Sequence, residues 1–199
     1  MAKSEQQREH ILDVARDLFA QNGYEATTTR QLNKAVGIAD GLMYYYFPHG
    51  KQEILDTIVQ QGIARGEGEV QLTMDGVTDR AGVEERLLQF IQQVWELFTR
   101  EDNYQSFMIT IRERMLLTDA ESSWLHNVTA AIERNIEKAL REVTDVLDCE
   151  PEDAPQLASL IIAIMERTLY DELLVRSNRT LAPDQIEQLR AEVHFLLNR

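Results

Sequence analysis

Apolar residues recur at helical spacing along almost the whole chain. Ile11, Leu12, Ala15, Leu18 and Phe19 share one face of residues 5–21, with charges opposite, and predict an amphipathic helix. Asn22-Gly23 ends it, because glycine readily takes the left-handed conformation that closes helices. Thr28 and Gln31 then form a capping box that opens a second helix, and this one reaches only about Val36 before Gly37. A third short helix is predicted over residues 40–47 and is broken by Pro48-His49-Gly50. A long helix starts near Lys51 and carries Ile54, Leu55, Ile58 and Val59. Further helices are predicted near 83–101, 104–117, 120–147 and 155–177, with a last one opened by Pro183-Asp184. No internal repeat or low-complexity tract interrupts the pattern, and the fold class predicted is all-α.

Two short helices turning at Gly37 behind a longer supporting helix make the helix-turn-helix plan, in which the second short helix enters the major groove of DNA. The residues that carry this plan are Ala15, Leu18-Phe19, Gly23-Tyr24, Thr27-Thr28, Leu32, Gly37-Ile38, Gly41, Tyr44-Tyr45-Tyr46-Phe47, Lys51 and Ile54-Leu55. In order and spacing this run resembles the TetR family of transcriptional regulators. It departs from the family at three points. Ala39 stands where the family usually has Ser or Thr as cap of the recognition helix, so Asp40 is expected to cap instead. Asn33 replaces a small apolar residue, and one extra residue separates Phe47 from Lys51. The resemblance implies a three-helix DNA-binding domain over residues 1–50 and a larger helical domain over 51–199 that binds ligand and dimerises.

The candidate DNA-binding residues are Thr28, Thr29, Arg30, Gly41, Leu42, Tyr44, Tyr45 and Lys51. Thr28 caps its helix, and the amides it leaves free suit a phosphate. Thr29 and Arg30 lie in the first turn, in reach of phosphate or a base edge; a solvated surface charge is the alternative for Arg30. Gly41 removes a side chain where the recognition helix meets the groove, for close approach or for the backbone alone. Leu42 is apolar at a position expected to be exposed and suits a thymine methyl. Consecutive tyrosines point about 100 degrees apart on a helix, so they cannot all face DNA. The resemblance implies that Tyr44 meets the phosphate backbone, that Tyr45 sits on the groove-facing surface, and that Lys51 contacts phosphate. A structural aromatic cluster is the other reading of the tyrosines.

Charge sharpens this division. The chain carries a formal net charge of -14 over 199 residues. Up to Lys51 six Lys/Arg balance six Asp/Glu, so the acidic surplus falls entirely beyond it, in fourteen Lys/Arg against twenty-eight Asp/Glu. A neutral domain can still present a basic patch, and local phosphate contacts govern binding more than the global sum. The acidic remainder is expected to stay off the duplex.

In that remainder, residues 155–177 carry two apolar stripes: Leu157, Leu160, Ile161, Ile164 and Thr168 on one, Ala158, Ile162, Met165, Leu169 and Leu173 on the other. A helix apolar on more than one face is buried on more than one side. The last helix has one stripe: Ile186, Leu189, Val193, Leu196 and Leu197. The family pairs the last two helices of each subunit in a four-helix interface. That implies a homodimer through Ala158, Ile162, Met165, Leu169, Leu173, Leu189, Val193 and Leu196, with a monomeric bundle core as the alternative. Phe90, Val94, Trp95, Phe98, Phe107, Met108, Ile111, Trp124 and Val128, with Met115 and Met165, supply large apolar side chains to the middle helices. In the family such residues line an effector pocket, typically apolar with a few polar groups. Helical spacing does not separate a lined cavity from a filled core.

The remaining chemistry narrows the function. His10, His49, His126 and His194 are scattered without metal-ligand spacing, and Gly66-x-Gly68 lacks the rest of a phosphate-binding loop. No nucleophile motif appears, so neither an enzyme nor a resident cofactor or metal is expected. The single cysteine, Cys149, is read as an ordinary thiol. The N-terminus is polar, and no apolar run approaches the roughly 18–20 residues of a membrane span, which predicts a cytoplasmic protein. The expected function is a ligand-responsive repressor that binds a palindromic double-stranded operator as a homodimer and is released by a small apolar or amphipathic molecule. The alternative is a DNA-binding or protein-interaction module of the same fold without an inducer.

Overall fold

The computed structural model describes residues 3–64, 70–113 and 119–198; the side chains of residues 3, 60, 62–64, 102 and 119–125 fall outside the description. Ten α-helices occur among the described residues: α1 (Lys3–Asn22), α2 (Thr29–Val36), α3 (Asp40–Tyr46), α4 (Lys51–Ala64), α5 (Arg80–Thr99), α6 (Glu101–Arg112), α7 (Asp119–Arg141), α8 (Thr144–Leu147), α9 (Ala154–Leu169) and α10 (Pro183–Leu197). Contacts divide the chain into two compact units, residues 1–66 with 100–126, and residues 67–99 with 127–199.

The first unit is wider than the segment 1–50. α4 and α6 both pack on α1, and α6 packs on α4. Ile11, Leu12, Ala15 and Phe19 of α1 are buried, as are Leu32, Met43 and Phe47 of the short helices, Ile54, Leu55, Ile58 and Val59 of α4, and Phe107 and Ile109 of α6. Local signals start and stop these helices. α2 is opened by the capping box, with the Gln31 amide donating to Thr28 Oγ1 at 3.2 Å and the Thr28 amide donating to Gln31 Oε1 at 2.7 Å. Gly37 closes it at φ +76°, where a side chain would be strained. α3 stops at Tyr46 because Phe47 precedes a proline and is forced out of the helical region, to φ −136°, ψ 85°.

The second unit holds a continuous core. Val83, Leu87, Phe90, Ile91 and Val94 of α5 pack with Ile136 and Leu140 of α7, with Ala158, Ile161, Ile162 and Met165 of α9, and with Leu189, Val193, Leu196 and Leu197 of α10. Two expected helices are divided. The one expected over 120–147 ends at Arg141, and the short α8 follows; Asp148 closes α8 at φ +52°. The one expected over 155–177 is α-helical only to Leu169, and Tyr170–Val175 continues as a wider π turn, seen in the Arg176 amide donating to the Asp171 carbonyl at 3.0 Å. Glu172 is buried at this turn, and its Oε2 accepts from Asn178 Nδ2 at 2.8 Å. That bond leads the forces holding its carboxyl below the ordinary glutamate value, against the opposing effect of burial and with help from Gln185 and Arg176.

Candidate nucleic-acid interface

The core of the first unit fixes the helix-turn-helix from behind and leaves one face open. On α3, Met43 is fully buried, and this turns Leu42, Tyr44 and Tyr45 outward at 40%, 52% and 73% exposure. Tyr46 is half-buried and meets Tyr45 edge-on, with ring centroids 5.1 Å apart. Gly41 is exposed, and nothing lies within 4 Å of where its Cβ would stand, so the backbone there is open to close approach. Gly50 sits at φ +67° with its missing Cβ only 3.2 Å from the Tyr44 ring, so the glycine makes room for Tyr44 as well as for the turn. On α2, Thr28 and Arg30 are exposed and Thr29 is half-buried. Lys34 is exposed on the same helix. The exposed face therefore joins the amides at the start of α2, two cations and the hydroxyls of Tyr44 and Tyr45, the donors that a phosphate backbone accepts from.

Two residues of the expected set sit differently. Lys51 is half-buried and points into the protein. Its Nζ donates to the carbonyl oxygens of Tyr24 at 2.8 Å and Thr27 at 3.0 Å, and lies 4.0 Å from the Tyr24 ring centroid. The structure thus gives it a bracing role in the α1–α2 turn in place of the expected phosphate contact. Asp40 does not cap α3. The cap residue is Ala39, without a side-chain bond, and the Asp40 carboxylate accepts from Asn33 Nδ2 at 3.0 Å. Asp40 lies one residue inside the helix, where the buried Asn33 amide is its partner. Asn33, the polar residue in an apolar position, thereby ties α2 to α3.

The expected dimer residues need the larger correction. Ala158, Ile162, Met165, Leu173, Leu189, Val193 and Leu196 are all at most 7% exposed within the single chain, and Leu169 is half-buried. They fill the core of the second unit and leave little surface for a second copy. The exposed apolar face of α9 and α10 shares only Leu196 with that set and otherwise consists of Leu160 at 40%, Ala163, half-buried Ile164, Ala191, and Phe195 at 78%. These line an apolar groove of about 530 Å³ rimmed by Arg167, Gln188 and Glu192, where Arg167 Nη2 meets Glu192 Oε2 at 2.6 Å.

The expected effector residues divide between the units. Phe90, Val94 and Trp95 are buried in the second, where Phe90 and Val94 belong to the packed core and Trp95 Nε1 donates to the Arg179 carbonyl at 3.2 Å. Phe98 and Val128 are half-buried there. Phe107, Met108 and Ile111 belong to the first unit, buried, half-buried and 40% exposed. The Trp124 side chain and the positions of Met115, Gly66 and Gly68 lie outside the described residues. Cys149 is half-buried, and burial leads the causes that push its thiol up, so the reactive thiolate is disfavoured at neutral pH. Among the described residues no helix is long and apolar enough to cross a membrane.

The comparisons with known proteins match this geometry. The family model of the bacterial regulatory proteins of the tetR family matches residues 11–58, from the first turns of α1 into α4. The uncharacterized HTH-type transcriptional regulator YxaF of Bacillus subtilis (strain 168) is 27% identical over 161 residues, 80% of this chain and 81% of that protein. Among solved structures, Salmonella enterica GusR has the same fold with a TM-score of 0.67 at 20% identity, covering 100% of this chain and 99% of that one. AibR, in complex with isovaleryl coenzyme A and operator DNA, shares it with a TM-score of 0.58 at 20% identity and 96% coverage of both chains. With a capped α2 and an outward-facing α3, residues 11–58 carry the DNA-binding domain of the tetR family of bacterial regulatory proteins, and over most of its length the chain is similar to transcriptional regulators and not to enzymes.

Proposed function

We propose that this chain is a ligand-responsive repressor that binds a palindromic operator as a homodimer and leaves it when a small apolar or amphipathic molecule binds. The observation that carries the reading is the outward face of α3: Leu42, Tyr44 and Tyr45 stand in solvent on a helix whose other side is locked into the core by Met43. A monomer has little reason to hold a leucine and two tyrosines out of its core unless a partner meets them. In this reading Tyr44, Thr28, Thr29 and Arg30 position the domain on phosphates, while Leu42 and Tyr45, beside the open backbone of Gly41, read base edges. The segment 1–50 supplies the contacts to DNA, and the chain beyond it supplies effector binding and dimerisation.

One recognition helix of seven residues reads few bases. A two-fold dimer doubles the contacts and demands half-sites about one helical turn apart, roughly 34–36 Å. The groove formed by Leu160, Ala163, Ile164, Ala191 and Phe195 is the apolar face available for that dimer. An effector is supported by AibR, whose fold holds isovaleryl coenzyme A together with operator DNA. Phe98 and Val128 keep partly exposed apolar surface suited to an acyl or other apolar group. A regulator of the same fold without an inducer is the second reading, favoured by the packing of Phe90 and Val94 into the core.

Selection of duplexes from a random pool by the full chain, followed by anisotropy across a salt series and sedimentation, tests the proposal. The expected result is an inverted-repeat site bound by a dimer with steep salt dependence. No sequence preference at low salt, or a monomer at micromolar concentration, overturns it. Release of the selected duplex by acyl-coenzyme A or other apolar molecules decides between the two readings.

A further inference from the structure

The end of α6 reaches the α1–α2 turn through two consecutive side chains. Glu113, the residue capping the C-terminus of α6, is 8% exposed, and its Oε1 accepts the Tyr24 amide proton at 3.0 Å. Arg112, the last residue of α6, donates from Nη1 to the Ala20 carbonyl oxygen at 3.1 Å and the Phe19 carbonyl oxygen at 3.5 Å. The last carbonyls of a helix lack intrahelical donors and carry partial negative charge that a cation stabilises. α1 has no basic residue in its own last turn, so α6 supplies the cation from far along the sequence. Tyr24 follows the left-handed Gly23 that terminates α1, and its amide needs an acceptor outside the helix; a carboxylate is a strong one. The carboxylate is packed against the turn, with Oε1 only 3.6 Å from where a Cβ on Gly23 would stand.

The same turn is held from the other side by Lys51 of α4, on the carbonyls of Tyr24 and Thr27. Thr27 is fully buried and donates from Oγ1 to the Gly23 carbonyl at 2.8 Å. The next residue, Thr28, is the cap of α2, and α2 packs on α3. Whatever fixes this turn therefore fixes where the helix-turn-helix begins.

We propose that Arg112 and Glu113 are positioning residues for DNA binding: together they clamp the α1–α2 turn to the end of α6 and set the placement of α2 and, through it, of α3. Neither side chain touches DNA in this role. With the clamp broken, the helix-turn-helix spends part of its time in placements that do not fit a half-site, and apparent affinity falls by the fraction lost. The affinity consequence rests on the DNA-binding reading above, whereas the clamp itself has a readout independent of it, the Tyr24 amide.

The test compares Glu113→Ala, Glu113→Gln and Arg112→Ala in the full chain. Hydrogen exchange is read at the Tyr24 amide, and affinity is read for a duplex selected by the unsubstituted chain at several salt concentrations. Glu113→Ala is expected to speed Tyr24 exchange and to weaken binding about tenfold, the effect of losing a buried charged acceptor. Glu113→Gln, whose amide oxygen still accepts, is expected to restore most of both. Arg112→Ala is expected to weaken binding with the salt slope unchanged; a slope reduced by about one would make Arg112 a phosphate contact and overturn its assignment. Unaltered Tyr24 exchange in Glu113→Ala, faster exchange with unaltered affinity, or protection lost evenly across the buried amides of the first unit would each overturn the proposal. A chain that selects no duplex would remove the DNA-binding reading, and with it the positioning role, while Tyr24 exchange still reports whether the clamp exists.

Discussion

The recognition helix and the last helix each leave an aromatic ring almost wholly in solvent, Tyr45 at 73% and Phe195 at 78% exposure. Their surroundings differ. Tyr45 stands beside Tyr44, on a seven-residue helix with an open glycine, in a helix-turn-helix whose other short helix exposes Arg30 and Lys34. Phe195 stands in a groove floored by Leu160, Ala163, Ile164 and Ala191, with charged groups only at the rim, where Arg167 and Glu192 already pair with each other. Exposure alone says that a partner is expected. The polar groups around it say which kind. Hydroxyls, amides and cations suit a phosphate backbone, whereas an apolar floor with a self-paired rim suits a second copy of the same surface.

The strongest way to break the comparison is Phe195→Asp. A buried, unpaired carboxylate on each side of a two-fold interface is expected to give a monomer in sedimentation, and operator affinity should fall more than a hundredfold as one half-site is lost. The fold should survive, because Phe195 is outside the core of its own chain. Retention of the dimer would mean that another face makes it.

A smaller effect is expected from Tyr45→Ala. Removal of one exposed contact residue should weaken duplex binding by about 1–2 kcal/mol, roughly five- to thirtyfold, with the melting temperature unchanged and the dimer intact. A drop in melting temperature instead would make Tyr45 a structural aromatic.

Lys51→Met separates bracing from phosphate contact. It removes two charge-assisted bonds to carbonyl oxygens in the α1–α2 turn, at 2.8 and 3.0 Å. Stability should fall by roughly 1–3 kcal/mol while the salt slope of DNA binding holds. A slope lower by about one, with stability intact, would restore the phosphate role implied by the family resemblance.

The smallest effect concerns the second unit alone. Glu172 is held below the ordinary glutamate value, led by its bond from Asn178. Its folded value lies below its unfolded one, so its contribution is complete above the unfolded value and is lost as pH falls through the folded one. Glu172→Gln should therefore flatten the acid limb of the stability profile, with little change in DNA binding at neutral pH. An acid limb identical to that of the unsubstituted chain would place the sensitivity in other carboxylates.

Much of the DNA-binding unit was legible in the sequence because its determinants are local. The Thr28–Gln31 box, Gly37 and the Phe47-Pro48 break act within four residues of themselves, and each starts or stops the helix where the pattern indicates. Leu42 and Tyr45 emerge as exposed for the same reason: Met43 and Phe47, four apart, take the inward side.

What only the tertiary structure decided are choices between equivalent local patterns. α9 carries two apolar stripes of the same period, and nothing in its own residues says which is covered by its own chain. Packing of α5, α7 and α10 takes Ala158, Ile162 and Met165 of one stripe together with Ile161 of the other, and this leaves Leu160 exposed and Ile164 half-buried. Lys51 carries the charge of a phosphate contact, yet the carbonyls of a turn more than twenty residues earlier capture it. Arg112 and Glu113 fall inside the helix expected near 104–117 and read as candidate polar anchors of a pocket or as surface or paired charges, and their partners lie some ninety residues away. Helical periodicity specifies a face but not its occupant, because the occupant is set by the closure of long loops and by which of several apolar surfaces meets the others first. The sequence by itself determined the short helices of the reading head and the caps of α2; long-range packing decided what braces that head, where the long helices divide and which face remains for a second copy.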